Sequence, residues 1–328
     1  MGKVAYILVC WNNQTLLDEC IQSINDQLYS QKEIYLIDNN SNDGSAQYVE
    51  KHYPQVKLIK SDKNNGFARG NNLLIAEALK DQDIEYFALI NTDARLDPGW
   101  TTELVKVAKK NPKVATLQGL TLDYFDHAIV DSHHIYIGKN LQATQYGYKQ
   151  HADQNDYYTR EVQGVNAAAA IVTRAFIEAQ PEKSLFDESF FMYLEDVDIA
   201  LRAGVMGWKN YFVSTAMAYH MGSASSNKRS SSFSLYYTAR NQPGLLVKNM
   251  PLKVLLKASK YFLKNEYQML RHLNNSYPPQ FVRAYIKGRL IGYPRALLYF
   301  NKRRMLSKQR VIDADFLWTI MKNQGWLN

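Results

Sequence analysis

Three carboxylates lie within four residues, at Glu195, Asp196 and Asp198, directly after the large apolar and aromatic residues 191–194. Such crowding of like charges costs stability unless a metal, a cation or a reaction uses it. Neighbouring carboxylates that differ in burial can have pKa values far apart, which makes one of them a general base. The alternative is an ordinary first helical turn, where acidic side chains interact well with the helix dipole. Polar clusters elsewhere in the chain favour the first interpretation.

The cluster 38–45 is dense in turn-forming residues and follows a predicted strand. One interpretation is a solvated turn, and the other is a nucleotide pocket. A carboxylate at the strand end, Asp38, can accept the N3–H of uracil or thymine. Cytosine lacks that donor, so Asp38 favours UDP or dTDP over CDP.

The cluster 64–72 places Gly66, Gly70 and four asparagines around a second strand-to-helix turn. Glycine allows close backbone approach, and a helix N-terminus favours a phosphate. The segment is not a P-loop because the Gly-Lys-Ser/Thr ending is missing. A simple turn with a helix cap explains the same residues equally well.

A third cluster, Asn91, Thr92 and Asp93, follows an apolar strand. A carboxylate there is well placed to hold Mg²⁺ or Mn²⁺, which prefer oxygen ligands and bridge diphosphates. His220 follows another strand far downstream. A lone histidine is usually a packed or surface residue, and His220 becomes a ligand only if the fold brings it beside Asp93.

The elements that position these clusters alternate along the first hundred residues. Apolar runs predict buried strands and helical spacing predicts the helices between them; the predicted strands cover 4–10, 33–37, 56–60 and 86–90, and the helices 15–27, 46–52 and 68–80. This order implies a parallel sheet with helices on both faces, and each polar cluster falls at the carboxyl end of a strand, where such sheets bind ligands.

Downstream, the patterns predict a helix over 100–110, a strand over 114–122, loop or extended chain over 123–158 and a helix over 197–203. A strand pair or edge is predicted over 208–219, and helices from 234 onward, with breaks at Pro251 and at Pro278-Pro279. We therefore expect an α/β fold with a mostly parallel sheet flanked by helices and a helical C-terminal extension.

Charge is distributed unevenly over the 328 residues. The net charge is +8, but residues 221–328 hold 19 of the 39 basic and 3 of the 31 acidic side chains. The first 220 residues are thus acidic, and the tail needs an anionic partner. Lys253, Lys257, Lys260 and Lys264 recur at helical spacing beside leucines, which is typical of a membrane-surface helix. A packed helix with a solvated lysine face explains the pattern equally well, whereas no nucleic-acid-binding motif accompanies the charge.

Two cysteines, Cys10 and Cys20, do not make a disulfide framework, and both are expected to be reduced core residues. The N-terminal apolar run is too short for a signal peptide or a membrane span. We therefore expect a cytoplasmic protein, with a peripheral position at the inner face of the cell membrane if the tail binds lipid.

In their order and spacing, the clusters at 11–13, 38–45, 65–72, 91–93, 195–198 and His220 resemble the inverting family 2 glycosyltransferases with the GT-A fold. The stretch 186–202 looks most like the rhamnosyltransferase branch, as does 236–241, which adds Arg240 as a candidate near the acceptor. The resemblance covers about 3–250.

The resemblance implies a role for each matching position. Asp196 would be the catalytic base, with Glu195 or Asp198 raising its pKa or holding the acceptor. The metal would bind Asp93, with His220 as a second ligand, although Asn91 replaces the first acid of the family's Asp-x-Asp element. The nucleotide-sugar pocket would be lined by Asn12, Asp38, Asn40, Gly66, Asn72, Asn91 and Asp93.

The implied reaction is transfer of L-rhamnose from dTDP-rhamnose to a polysaccharide or polyprenyl-linked saccharide. The alternatives are a UDP-sugar transferase of the same fold and a non-catalytic membrane- or polymer-binding protein. A nucleotidyltransferase would want a Gly-rich, basic loop after the first strand, where this chain has Cys10 to Asn13. The implied domains are a transferase domain over 1–233, with a donor half to about 98 and an acceptor half after it, and a basic helical region over 234–328.

Overall fold

The computed structural model describes residues 2–154, 158–181, 184–222 and 231–325. The strands are β1 Lys3–Cys10, β2 Lys32–Asp38, β3 Lys57–Lys60, β4 Ile84–Ile90, β5 Ala94–Leu96, β6 Val114–Asp123, β7 Val130–Ser132, β8 His134–Ile137, β9 Ala143–Tyr146, β10 Arg160–Val162, β11 Ala169–Thr173 and β12 Lys209–His220. The helices are α1 Gln14–Asn25, α2 Ser45–His52, α3 Gly66–Ala78, α4 Trp100–Lys110, α5 Arg174–Glu178, α6 Glu195–Val205, α7 Ser232–Asn249, α8 Leu252–Ser276, α9 Pro279–Ala296, α10 Phe300–Ser307 and α11 Ala314–Lys322.

Most of the described strands form one mixed sheet in the order β10-β12-β6-β11-β4-β1-β2-β3. The pairs β4–β1, β1–β2, β2–β3 and β12–β6 are parallel, whereas β11 runs antiparallel between β4 and β6. Strands β8 and β9 form a separate antiparallel pair. The prediction of an α/β fold with a mostly parallel sheet and a helical extension is confirmed.

The sheet is covered on both faces, as a parallel sheet requires. Alternate residues of β1 enter different cores: Tyr6 and Leu8 pack with α1 and α4, and Ala5 and Ile7 pack with α3, α5 and α6. Both cysteines are buried and unpaired. Ile199 of α6 belongs to the second core, so the helix that carries the acidic cluster is anchored to the sheet.

One prediction of local structure was wrong. The stretch 208–219 is not a strand pair but part of the single strand β12, which lies between β6 and β10 and has a register shift between Val213 and Met217. Such an irregularity bends a strand without ending it. The described part of 123–158, predicted as loop or extended chain, contains the short extended strands β7 to β9.

The C-terminal helices pack against α6 through a third core, which includes Val197 and Leu201 of α6, Leu245 and Leu246 of α7, and Leu317 of α11. Pro251 and Pro278 separate α7, α8 and α9, as predicted. Within the described residues, no helix combines the length and apolar character that a transmembrane span needs.

Candidate active site

A loop with unusual backbone geometry precedes α6. Phe191, Tyr193 and Leu194 have φ angles of 66°, 68° and 72°, in the left-handed region. Such conformations cost about 1–3 kcal/mol each, persist only where the surroundings over-determine them, and cluster at active sites. The loop 190–194 therefore marks the start of α6 as a candidate site.

Helix α7 supplies the contacts that hold this loop. The side-chain amide of Asn241 donates to three carbonyl oxygens at 2.9–3.0 Å, those of Phe190, Met192 and Tyr193. The Arg240 guanidinium also donates to the Phe190 carbonyl, at 2.9 Å. Arg240, expected near an acceptor, thus stabilises the loop instead, and its Nε donates to Asn241 Oδ1 at 2.9 Å.

Glu195 and Asp196 form an acidic pair in the first turn of α6. Glu195 is buried, and its Oε2 has no hydrogen-bond partner among the described residues. Burial, and then the charge of Asp196, raise the pKa of Glu195 to about 8. Burial also raises the pKa of the partly exposed Asp196, to about 6, although the backbone N–H groups of Val197 and Ala167 act in the opposite direction. The pair therefore holds a proton more readily than isolated carboxylates do, and the more exposed Asp196 is placed to exchange it with a ligand, as a general base must.

Asp198 points away from Asp196, since residues two apart lie on opposite sides of a helix. It is fully buried, and its carboxylate contacts Lys248 Nζ and Arg202 Nε, both at 2.8 Å. Burial alone would raise the pKa of Asp198, but these two cations lower it. Lys248 also pairs with Asp187 at 2.9 Å. Asp198 has no surface to offer an acceptor, and its contacts join α6 to α7.

Strand β2 ends at Asp38, whose side chain is almost fully buried. Oδ2 accepts the backbone N–H of Ser41 at 3.1 Å, while Oδ1 has no partner among the described residues. A buried acceptor left unpaired is costly. This oxygen is therefore available to a donor group on a bound ligand.

Two asparagines flank Asp38 in left-handed conformations, Asn12 at φ 53° and Asn40 at φ 66°. Asn12 joins the loops after β1 and β2, because its N–H donates to Ser41 Oγ at 3.0 Å and its Oδ1 accepts the Asn42 N–H at 2.8 Å. Asn40 is exposed. Both lie at the predicted edge of the sheet. Asn12 holds the two loops together, and the Asn40 side chain faces solvent.

The N-terminus of α3, where a phosphate is expected from the sequence, is occupied by the loop before α6. The N–H groups of Phe67 and Ala68 donate to the carbonyl oxygen of Phe191 at 2.8 and 3.1 Å. Gly66 has φ 70°, and a Cβ there would lie 2.5 Å from Phe191. The phosphate expectation is thus not met in this structure, and Gly66 instead permits close packing of the two segments.

Asn72 is predicted to line the nucleotide pocket, but its amide is used by the same loop region. It donates to the carbonyl and accepts from the N–H of Phe186, at 2.9 and 3.0 Å. Asn39 makes a comparable brace: it donates to the Gly66 carbonyl at 3.1 Å and accepts the Asn65 N–H at 2.9 Å. Hydrogen bonds therefore link the loop after β2 to the start of α3, and α3 to the loop region before α6.

The fold brings His220, at the end of β12, beside Asp93, after β4. His220 Nε2 lies 3.2 Å from Asp93 Oδ1 and 3.4 Å from Asn91 Nδ2, while Nδ1 lies 2.9 Å from Asp131 Oδ2. Burial alone would lower the pKa of His220, but Asp93 and Asp131 raise it to about 10. The condition that His220 lie beside Asp93 is thus met, and Asp131 is a partner that the sequence analysis missed.

The donor set fits a divalent cation that also binds a ligand. Asp93 Oδ1 and His220 Nε2, 3.2 Å apart, would become neighbouring ligands once the cation displaced the proton that they share. A carboxylate on the other nitrogen, as Asp131 provides, orients a metal-binding imidazole. Among the described residues no group of three or more acidic, histidine or cysteine side chains is arranged to hold a metal. Further ligands would therefore come from the substrate.

The residues before β11 connect this cluster to the acidic pair. The Asn91 N–H donates to the carbonyl of Ala168 at 2.9 Å, and the neighbouring Ala167 N–H interacts with the Asp196 carboxylate. The loop that carries Asp93 and the base candidate thus flank the same short stretch of small residues. Asp38, Gly66, Asp93 and Asp196 consequently lie along one edge of the sheet.

Aromatic rings extend the site toward α7. Phe191 stacks on Tyr237 with centroids 5.4 Å apart, and Phe233 lies 4.7 Å from Tyr237 and 6.5 Å from Tyr193. Phe233 is 47% exposed. This aromatic platform borders the loop before Asp196 and offers an apolar surface that a ring-shaped ligand could contact.

Residues 6–171, half of the chain, match the family model described as glycosyl transferase family 2. An N-acetylglucosaminyl-diphospho-decaprenol L-rhamnosyltransferase of Mycobacterium tuberculosis is 26% identical over 204 residues. That alignment covers 57% of this chain and 66% of the enzyme, so the chain spans slightly less than two thirds of the relative's length.

Two solved structures have the same fold. GalNAc-T7 with UDP, GalNAc and Mn²⁺ superposes with a TM-score of 0.63 at 13% identity, over 91% of this chain and 56% of that one. Staphylococcus aureus TarS in complex with UDP-GlcNAc superposes with a TM-score of 0.55 at 14% identity, over 95% of each chain. Since the family match spans half of the chain and the fold recurs across nearly all of it, the chain belongs to glycosyl transferase family 2 and has the GT-A fold.

Proposed function

We propose that this glycosyltransferase moves a sugar from a nucleoside-diphosphate donor to a saccharide hydroxyl with inversion at the anomeric carbon, and that Asp196 is the base. The observation that carries the proposal is the position of Asp196 in the first turn of α6, beside the Ala167 N–H and without an ion-pair partner among the described residues, where burial raises its pKa. An ionised carboxylate beside a neutral one can take a single proton, as one displacement requires. A double displacement would need a second nucleophilic carboxylate, and Glu195 is neutral and buried.

In the proposed step the acceptor oxygen attacks the anomeric carbon while Asp196 takes the hydroxyl proton. The new C–O bond forms as the bond to the diphosphate oxygen breaks, and the nucleoside diphosphate leaves with the bonding electrons. A divalent metal held by Asp93 and His220 would neutralise charge on that leaving group. Asp131 would keep the His220 ring oriented, and Asn91 would border the same pocket.

For the donor we propose dTDP-L-rhamnose, with a UDP-sugar as the alternative. The similarity to the mycobacterial rhamnosyltransferase supports rhamnose, and the unpaired Asp38 Oδ1 suits the N3–H of either thymine or uracil. UDP in the TarS and GalNAc-T7 structures supports the alternative. The halves proposed at about 1–98 and 99–233 would hold donor and acceptor respectively.

For the acceptor we propose a saccharide of a polysaccharide or polyprenyl-diphosphate-linked precursor. The relative's name includes a decaprenol-linked N-acetylglucosamine. The aromatic platform of Phe191, Tyr193, Phe233 and Tyr237 lies beside the loop that leads to Asp196. Its apolar rings would pack against the face of an acceptor sugar and direct one hydroxyl to the base.

The test is calorimetric titration of wild type and Asp38→Asn with dTDP-rhamnose, UDP-GlcNAc and CDP-glycerol, with and without Mn²⁺. Because the Ser41 N–H fixes an acceptor at Oδ2, asparagine would present its NH₂ where the base N3–H must be. We expect wild type to bind dTDP-rhamnose in a Mn²⁺-dependent manner. We expect the variant to lose about tenfold or more in affinity for it.

Unchanged affinity in Asp38→Asn would refute the proposed base contact. Preference of the wild type for UDP-GlcNAc would replace rhamnose by a UDP-sugar and leave the mechanism intact. If no donor bound, the non-catalytic alternative would replace the proposal. The anomeric configuration of the product, determined by NMR, tests inversion separately.

A further inference from the structure

Helix α8 carries a stripe of exposed apolar side chains. Leu252, Leu256, Leu263, Tyr267 and Leu270 are 63%, 67%, 67%, 66% and 37% exposed. Their spacing places them on one side of the helix. Leu255 and Phe262, by contrast, pack on the third core, so only part of the apolar surface seen in the sequence is covered.

A second stripe follows α9 into α10, which continue through a short 3-10 turn at Leu297–Tyr299. Ile286, Leu290, Tyr293, Leu297 and Phe300 are 43%, 69%, 50%, 66% and 53% exposed. Their spacing of three and four residues again defines one helix side. Exposed residues of this size normally occur singly, and a continuous row marks an interaction site.

The two stripes face the same direction. Glu266 of α8 contacts Arg289 and Tyr285 of α9, at 2.6 and 2.7 Å, across the antiparallel pair. The other side of α9 packs on α7 so closely that a Cβ at Gly288 or Gly292 would lie 2.5 Å from its backbone. On each helix the stripe lies about a quarter turn around the helix axis from the residues that form this contact. Both stripes point away from α7. Together they form one surface, which we call the tail face.

Positive charge predominates around the tail face. Seven basic side chains of these helices are exposed and form no ion pair within the described residues: Lys260, Lys264, Arg271, Arg283, Lys287, Arg304 and Lys308. Between 252 and 312 the sole acidic residue is Glu266, which pairs with Arg289 at 2.6 Å. A second copy of this face would bring like charges together across a two-fold axis.

We propose that the tail face docks on an anionic lipid bilayer, with its Leu, Ile, Tyr and Phe side chains in the interface and its Lys and Arg side chains among the headgroups. This inference goes beyond the proposed function, because it depends on neither the donor nor the base. The positive charge around the tail face favours an anionic membrane over a second copy of the chain.

Docking would also place the site near the membrane. The side of α9 and of the 3-10 turn opposite the tail face contacts the loop region before α6. There Arg295 donates to the Ser189 carbonyl at 3.3 Å, and the Tyr299 hydroxyl lies 2.7 Å from Ser189 Oγ. Only the thickness of one helix, about 10 Å, therefore separates the tail face from that loop. An acceptor carried by a lipid would be within reach.

The test is co-sedimentation with vesicles of phosphatidylcholine, with and without phosphatidylglycerol, at increasing NaCl. The variants are Leu290→Glu/Leu297→Glu, which places charge in the stripe, and Lys260→Gln/Lys264→Gln, which removes charge at its border. Leu28→Glu/Phe125→Glu is the matched control, because both residues are 75% exposed and lie within residues 1–233, the transferase body. Thermal unfolding and dTDP-rhamnose binding are measured for each variant.

We expect wild type to bind vesicles only when phosphatidylglycerol is present and to dissociate as salt rises. The leucine variant should lose at least tenfold in partitioning, and the lysine variant about fivefold for each charge. The control should bind as wild type does. Unfolding midpoints and donor binding should stay unchanged, which separates this proposal from the donor assignment.

Equal binding to vesicles without phosphatidylglycerol, no binding at all, or an equal loss in the control would each overturn the proposal. A different result would also overturn it: light scattering shows that the wild type is a dimer, Leu290→Glu/Leu297→Glu makes it monomeric, and lipid binding does not change. If the leucine variant fails to fold, the lysine variant decides, since it leaves the apolar stripe intact.

Discussion

Two pairs of carboxylates lie close together at the start of α6, and they behave in opposite ways. Glu195 and Asp196 form no ion pair with a cation among the described residues, and burial raises the pKa of both. Asp187 and Asp198 share Lys248, and nearby cations lower the pKa of both despite burial. The first pair is available for proton transfer and the second ties α7 to the transferase body.

The difference shows how little separates a reactive carboxylate from a structural one. Asp196 and Asp198 are two residues apart, and the helical turn sends them to opposite sides. One side opens to the sheet edge, and the other faces Lys248 of α7. Burial is common to both sides, so the presence or absence of a cation decides the direction of the pKa shift.

Replacing Asp196 by Asn tests the reactive side. We expect the turnover number to fall about 10²- to 10⁴-fold, because general-base assistance is lost. Donor affinity and the unfolding midpoint should stay near wild type, since Asp196 forms no ion pair among the described residues. Turnover of the labelled donor and calorimetric titration measure the two quantities, and near-normal turnover would show that another group is the base.

Replacing Lys248 by Met tests the structural side. The change leaves two buried carboxylates without their shared cation, and we expect a loss of about 3–5 kcal/mol in the free energy of unfolding. Lys253→Met is the matched control, because Lys253 pairs with Asp315 at the surface, where both side chains are more than half exposed. Exposed pairs contribute little.

Chemical denaturation of both lysine variants measures the effect. A Lys248→Met protein as stable as Lys253→Met would mean that the buried pair is not structural. Loss of activity in Lys248→Met without loss of stability would remove the distinction drawn between the two carboxylate pairs.

The pH dependence of transfer sharpens the assignment of Asp196. Because its pKa is raised to about 6, we expect the rate to fall about tenfold per unit below pH 6, as the base becomes protonated. Glu195→Gln should keep this acidic limb, since Glu195 is already neutral at pH 6. A limb that instead followed the ordinary pKa of an aspartate, near 4, would contradict the raised value.

The last test concerns the pH dependence of stability in Glu195→Gln. Between the unfolded pKa of Glu195, near 4.5, and its folded pKa of about 8, only the folded state holds the proton, so wild-type stability declines as pH rises through this window. Glutamine carries no such proton. The unfolding midpoint of the variant minus that of wild type should therefore increase from pH 5 to pH 8 in scanning fluorimetry. A difference that does not change with pH would mean that Glu195 titrates normally.

Much of the fold was predictable from the sequence, because the first hundred residues follow local rules. Buried apolar runs and helical spacing placed β1, β2, β4 and the helices between them close to their observed bounds. The prediction of a strand pair fails at β12, where one strand continues through a register shift between Val213 and Met217.

The site was less predictable, because side-chain partners come from distant segments. Asp38, Asp93, Asp196 and His220 could be singled out by residue type at strand and helix ends. That Asn72 would bind a backbone segment more than a hundred residues away, at Phe186, leaves no mark in local sequence. Asp131 lies in a stretch without clear periodicity and gives no signal either. Asn241 adjoins Arg240 in the segment that resembles the family, and residue type alone does not show which of the two holds the loop.

The three hydrogen bonds from Asn241 have a consequence for protein engineering. A chimera that grafts a new tail onto this transferase body after residue 233 would discard the amide that shapes the loop before Asp196. A graft placed after Asn249 would keep α7 and so keep that loop. Exchange of acceptor preference between relatives, in the laboratory or in evolution, should therefore succeed at the second junction and fail at the first.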